Sequence, residues 1–273
     1  IVLSNRLHAA VQKHSNIPVG LGMRYGKPSI EAAIQKLVDE NPHLKELFLV
    51  PLYPHYAMSS YETVVVKTRE VVEAKFPQLQ LRIKEAFYQE EAYLDILAQS
   101  IKEHLPAEYD HILFSYHGIP ERHVRKTDVT RSHCLKIENC CQKESPAQHF
   151  CYRHQTFATT TFIAERLKLD PKKYSTSFQS RLGGDPWLQP FTDKTIIEFA
   201  KKGMKKLVVI CPAFVSDCLE TIEEIGEEAH EFFTENGGEE FTLVPCLNDR
   251  QDWAKLVAHW GNTFAEPAAV KTN

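Results

Sequence analysis

Short apolar runs rich in β-branched residues alternate along the chain with longer amphipathic stretches. The runs at 47–53, 79–87, 110–116, 205–211 and 241–246 read as strands. Their near-continuous apolar character suits parallel strands covered on both faces. Helical periodicity occupies 28–40, 59–75, 89–104, 153–168, 192–203, 218–236 and 249–260. Strand and helix in repeated alternation predict an α/β fold with parallel sheets flanked by helices. A boundary near 104–110 divides it into two lobes of similar logic, 1–109 and 110–273. The first, opening on Ile1, is expected to lack its N-terminal portion.

Ligands of such sheets bind beyond the carboxyl ends of the strands, and the unusual residues fall there. Strand 47–53 runs into Pro54-His55-Tyr56, strand 110–116 into His117-Gly118-Ile119-Pro120, and strand 205–211 into a loop ending in Ser216-Asp217-Cys218-Leu219-Glu220. His117 is a candidate base or metal ligand, since imidazole exchanges protons near neutrality and binds borderline metals. An acidic first turn ordinarily complements the helix dipole. Glu220, Glu224 and Glu228, however, recur every fourth residue and share a helix face, so they can pass cations or protons inward. Trp187, after Gly183-Gly184, either closes the core or offers a flat face to a planar ligand. Neither a dinucleotide fingerprint nor a P-loop motif occurs.

The 273 residues carry 32 Lys+Arg against 36 Asp+Glu, a net charge of −4 that gives no pull toward nucleic acid. No apolar run reaches the roughly 18 residues of a membrane span. Of seven cysteines, Cys134, Cys140, Cys141 and Cys151 crowd into 18 residues within an insert at 131–152. Such density in a reduced compartment points to a metal site, either an iron–sulfur cluster or zinc with His133, His149 or His154 assisting. Spacing alone does not choose. Cys211, Cys218 and Cys246 read as isolated thiols.

Taken together, Met23-Arg24-Tyr25-Gly26, Pro51-Leu52-Tyr53-Pro54-His55-Tyr56, Ser115-Tyr116-His117-Gly118-Ile119-Pro120, Gln179-Ser180-Arg181 with Pro186-Trp187-Leu188, and Pro212 through Thr221 resemble the ferrochelatases. The resemblance covers nearly the whole chain. It implies two Rossmann-like, chelatase-like lobes around a porphyrin cleft, and insertion of Fe²⁺ into protoporphyrin or coproporphyrin to form haem. It also implies that His117 and Glu220 are catalytic, with Asp217, Glu224 and Glu228 on the metal or proton path. Tyr25, Tyr53, Trp187 and Phe214 match positions that shape the porphyrin pocket. Cys134, Cys140, Cys141 and Cys151 are similar to the internal [2Fe–2S] ligands of certain bacterial members. Cys218 stands where many members have a histidine. A cobalt or nickel chelatase and a non-catalytic tetrapyrrole or metal carrier are the competing readings. The expected setting is the cytoplasm, with peripheral contact at the inner membrane and homo-oligomers both left open.

Overall fold

The computed structural model describes residues 1–265; residues 266–273, the end of the expected second lobe, lie outside the described residues. The first elements are α1 (Val2–His14), α2 (Ile30–Glu40), β1 (Glu46–Leu49), α3 (Thr63–Lys75) and β2 (Gln80–Ile83). Next come α4 (Glu91–His104), β3 (His111–His117), α5 (Glu121–Lys126), α6 (Tyr152–Leu167), β4 (Tyr174–Gln179) and α7 (Thr192–Lys201). The last are β5 (Lys206–Ile210), α8 (Leu219–Thr221), α9 (His230–Glu235), β6 (Glu240–Leu243) and α10 (Gln251–Ala265). Among the described residues, no helix is long and apolar enough to cross a membrane.

Two compact units result, and neither is one contiguous stretch. The first comprises Ile1–Leu52, Tyr61–Glu85 and the chain from Asn248; the second comprises Tyr53–Ser60 and Ala86–Leu247. In the first unit, β1 and β2 pair in parallel. Ile30 and Ile34 of α2 pack with Val71, Val72, Phe76 and Leu79. The C-terminal helix belongs here because Asn262 of α10 finishes the end of α1. Its Oδ1 accepts from Asn16 N–H at 2.7 Å and its Nδ2 donates to the His14 carbonyl at 3.2 Å. Carbonyls at a helix C-terminus need such outside donors.

The second unit holds a parallel sheet ordered β4-β3-β5-β6. Its central β3 is buried along its length up to the half-buried His117, as a strand covered on both faces must be. Leu113, Ile196, Leu207, Val209, Ile225 and Phe233 form the core on one side.

Three elements depart from the sequence pattern. Strand β4 reads Tyr-Ser-Thr-Ser-Phe-Gln, too polar to signal a buried strand, yet its Ser and Thr hydroxyls have partners. Ser175 meets His111 Nε2 at 2.8 Å, Thr176 donates to Thr160 at 3.0 Å, and Ser177 pairs with Thr192 at 2.8 Å. A buried polar group that is hydrogen-bonded avoids most of its desolvation cost. Helix α1 escaped notice because its buried residues are only Leu7, Ala10 and Val11. The six-residue α5 buries Val124 alone.

Phe233 is fully buried and fills the core between α7, β5 and β6. Phe233→Ala should therefore cost about 3–5 kcal/mol in urea unfolding; a loss below about 1 kcal/mol would contradict this packing.

Candidate active site

The order β4-β3-β5-β6 places a reversal of winding between β3 and β5. From β3 the chain crosses to β4 on one side, then returns to β5 on the other. Doubly wound sheets open a ligand crevice at such a switch, outside the carboxyl ends of the two strands. His117 is the last residue of β3, and the loop from Cys211 to Cys218 follows β5.

Each group around His117 holds it in a defined way. Its carbonyl accepts from the Tyr152 hydroxyl at 2.8 Å. Its Nδ1 lies 2.6 Å from the Gly118 carbonyl oxygen. A carbonyl only accepts, so Nδ1 carries a proton, and Nε2 is the ring nitrogen left for other partners. Phe214 lies against the ring with centroids 6.2 Å apart.

Gly118 allows the next loop to close in. Its N–H donates to the Gln179 carbonyl at 2.7 Å. A Cβ there would meet that same oxygen at 2.9 Å and Trp187 at 3.3 Å, so a side chain would force the Trp187 segment away. Glu121 N–H donates to Pro186 and Leu188 N–H to Ile119, at 2.8 and 3.1 Å. These bonds seat the half-buried Trp187, whose indole N–H donates to the Leu182 carbonyl.

Behind β5 the acidic residues take distinct places. Asp217 is held within the turn: its carboxylate accepts from Cys246 N–H at 3.2 Å and lies 3.1 Å from the Thr221 hydroxyl. Gln179 Nε2 donates to the Glu220 carbonyl at 2.9 Å. A hydrogen bond from the Cys218 thiol holds the Glu220 carboxyl below its usual range; burial opposes this, and the nearby His117 adds to it electrostatically. The same contact, together with burial, pushes the Cys218 thiol up to about 12. Ser180, at φ 59°, donates to the Glu224 carboxylate. Glu220 and Glu224 are half-buried while Glu228 is exposed, so the three carboxylates grade from solvent to the interior.

Residues Ile222–Ala229, between α8 and α9, are wound as a π-helix. Thr221, Ile225, Ala229 and Phe233 are all buried at steps of four. A repeat of four overshoots the 3.6-residue α-turn, and the wider turn offsets that drift. The buried stripe and the neighbouring carboxylate line thus each keep to one side. Ile222, off that stripe, is 49% exposed.

Cys134, Cys140 and Cys151 are buried and Cys141 is half-buried. The neighbouring Cys151 thiol, with burial, pushes the Cys141 thiol up, and the neighbouring Cys134 thiol, with burial, does the same to Cys151. Arg153 Nη1 lies 3.2 Å from Cys141 Sγ and 3.8 Å from Cys140 Sγ. Backbone N–H groups of Leu135 and His154 donate to the sulfurs of Cys140 and Cys151. The buried Asp128 organises the loop by accepting from the N–H groups of Thr130, His133 and Cys134. His133 and His154 are engaged by the carbonyls of Cys140 and Cys141. Among the described residues, no group of three or more His, Cys, Asp or Glu is set out as a metal-ion site.

Tyr53 is half-buried in the second unit. Tyr25 belongs to the first unit, 70% exposed, with the Arg24 guanidinium 4.5 Å over its ring. The sequence did not single out Tyr152, Ser180 or the Gln179 side chain as site residues, because each acts through a partner distant in the chain. Nor are Cys211, Cys218 and Cys246 isolated: all three lie in the electrostatic reach of Asp217 or of one another.

A family model described as Ferrochelatase matches residues 2–263. A ferrochelatase of Pseudomonas fluorescens (strain Pf0-1) is 48% identical over 260 residues, spanning 94% of this chain and 76% of its own length. One from Azotobacter vinelandii is 47% identical over 261 residues, spanning 94% and 76%. Among solved structures, SirB from Bacillus subtilis with Fe³⁺ is similar at a TM-score of 0.61 and 14% identity, covering 96% of this chain and 88% of SirB. That likeness speaks for the fold alone. With the family match running through both units and the strand-end residues in place, the chain belongs to the ferrochelatase family.

Proposed function

We propose that His117 and Glu220, presented at the carboxyl ends of β3 and β5 in the second unit, carry the family reaction, insertion of Fe²⁺ into a porphyrin. The observation supporting this most strongly is the bridge through Gln179, whose backbone carbonyl accepts from the N–H of Gly118, next to His117, at 2.7 Å and whose side-chain amide donates to the Glu220 carbonyl at 2.9 Å. In the reaction the porphyrin gives up two N–H protons and its four nitrogens take the iron. His117 Nε2 accepts one pyrrole proton, and the carboxylate line of Glu220, Glu224 and Glu228 carries the other out to solvent. Glu228, Glu224 and Glu220 pass Fe²⁺ inward, because carboxylate oxygens suit a partly hydrated divalent ion before nitrogen captures it. Asp217 holds the turn that aims Glu220. Trp187, Phe214 and Tyr53 offer aromatic walls. Leu182, Leu219 and Ile222, apolar yet exposed beside these residues in sequence, extend the apolar surface. Binding a puckered ring better than the flat one lowers the barrier.

Cys134, Cys140, Cys141 and Cys151 would hold a [2Fe–2S] cluster. Four neighbouring sulfurs, N–H donors aimed at them and the Arg153 cation fit an anionic cluster ligated by thiolates. When bound, the cluster supplies a redox-active group, although metal insertion consumes no electron. Its role is then structural or sensory. Zinc on the same four thiols is the other reading, with His133 and His154 committed to backbone carbonyls.

His117→Ala should lower iron insertion at least about a hundredfold while porphyrin binding, read by fluorescence, persists; turnover near the wild-type rate would defeat the assignment. Removing the Cys218 thiol donor in Cys218→Ala should raise the Glu220 pKa. The carboxylate then protonates at higher pH, and the acid limb of the rate profile moves upward; an unmoved limb would count against the contact. Purified protein should show visible absorption with iron and acid-labile sulfide, whereas colourless protein with stoichiometric zinc would overturn the iron–sulfur reading.

A further inference from the structure

We propose that Tyr152 is a positioning residue for His117, an inference that rests on His117 being the proton acceptor. The Tyr152 hydroxyl, 35 residues along the chain, donates to the His117 carbonyl at 2.8 Å. On the other edge of the same peptide, Gly118 N–H donates to the Gln179 carbonyl at 2.7 Å. The His117–Gly118 peptide is thus pinned at both its oxygen and its nitrogen. The next oxygen, that of Gly118, lies 2.6 Å from His117 Nδ1 and fixes which ring nitrogen keeps the proton. Rotation of the pinned peptide would carry this oxygen away from the ring. Tyr152 therefore acts through two bonds on the tautomer that leaves Nε2 basic.

Tyr152 is itself firmly held. It is 5% exposed, and its ring meets His55 edge-on with centroids 5.9 Å apart. It is the first residue of α6, whose N-cap is Cys151, with the Cys151 sulfur accepting from His154 N–H. The cysteine insert and the catalytic histidine therefore share one anchor, with a thiol fixing the helix start and the next side chain fixing the strand end. Tyr116 provides an internal comparison. Its hydroxyl is just as buried in the same aromatic group, but it pairs with Thr160 at 2.9 Å and does not reach His117.

Tyr152→Phe keeps the ring and removes the donor. Its kcat for iron insertion should fall about tenfold, the worth of one buried hydrogen bond to an oriented group, with the porphyrin KM changed less than about twofold. In ¹⁵N-histidine spectra, the His117 signals are identified by their loss in His117→Ala. Those signals should lose the Nδ1–H pattern in Tyr152→Phe and keep it in Tyr116→Phe. Unchanged His117 signals in Tyr152→Phe, or an equal change in Tyr116→Phe, would overturn the proposal. Should Tyr152→Phe fail to fold, 3-fluorotyrosine at position 152 keeps ring and hydroxyl and strengthens the donor. The His117 signals should then shift, and their failure to move would also overturn it. An active His117→Ala would instead defeat the catalytic reading, and the spectra would still report on the contact.

Discussion

The buried side-chain amide of Gln179 joins the elements that carry the second unit's site. Its oxygen accepts from the Ser115 hydroxyl at 2.7 Å and lies 3.6 Å from the Cys211 sulfur, while its nitrogen donates to the Glu220 carbonyl. One side chain on β4 therefore reaches β3, the end of β5 and the turn bearing the carboxylate. Its backbone carbonyl adds the bond to Gly118. A buried amide satisfied at both ends is costly to disturb, because losing one partner strands the others in a low-dielectric interior. It ties together the segments that carry His117 and Glu220, 103 positions apart in sequence.

Strong periodicity made the framework legible. Strands β3 and β5 are runs of buried aliphatic and aromatic residues, and the polar loops after them stand out against those runs. Spacing likewise exposed the Glu220, Glu224 and Glu228 line, although the pattern was that of an α-helix and the segment is π-wound. Strand β4 was hidden because its hydroxyls look like those of a loop. Their partners Thr160, Thr192 and His111 come from elsewhere in the chain. Tyr152 was hidden for a related reason: a tyrosine beside a cysteine gives no sign that its hydroxyl serves a strand end 35 residues earlier.

The thiols divide by surroundings rather than by spacing. Cys134, Cys140, Cys141 and Cys151 lie in the insert, where N–H and guanidinium donors approach the sulfurs of Cys140, Cys141 and Cys151. Burial and the Asp217 carboxylate drive the pKa values of Cys211 and Cys246 upward, so they stay protonated and inert. Cys218 alone among these three donates to the Glu220 carboxylate.

That His117 and Glu220 act on the porphyrin as one unit is tested most directly by a double-mutant cycle. Measured as kcat/KM for iron insertion, His117→Ala, Glu220→Gln and the double variant should be strongly non-additive, with the double variant little worse than the poorer single one. Losses that multiply, as for two independent sites, or an unimpaired Glu220→Gln, would contradict it.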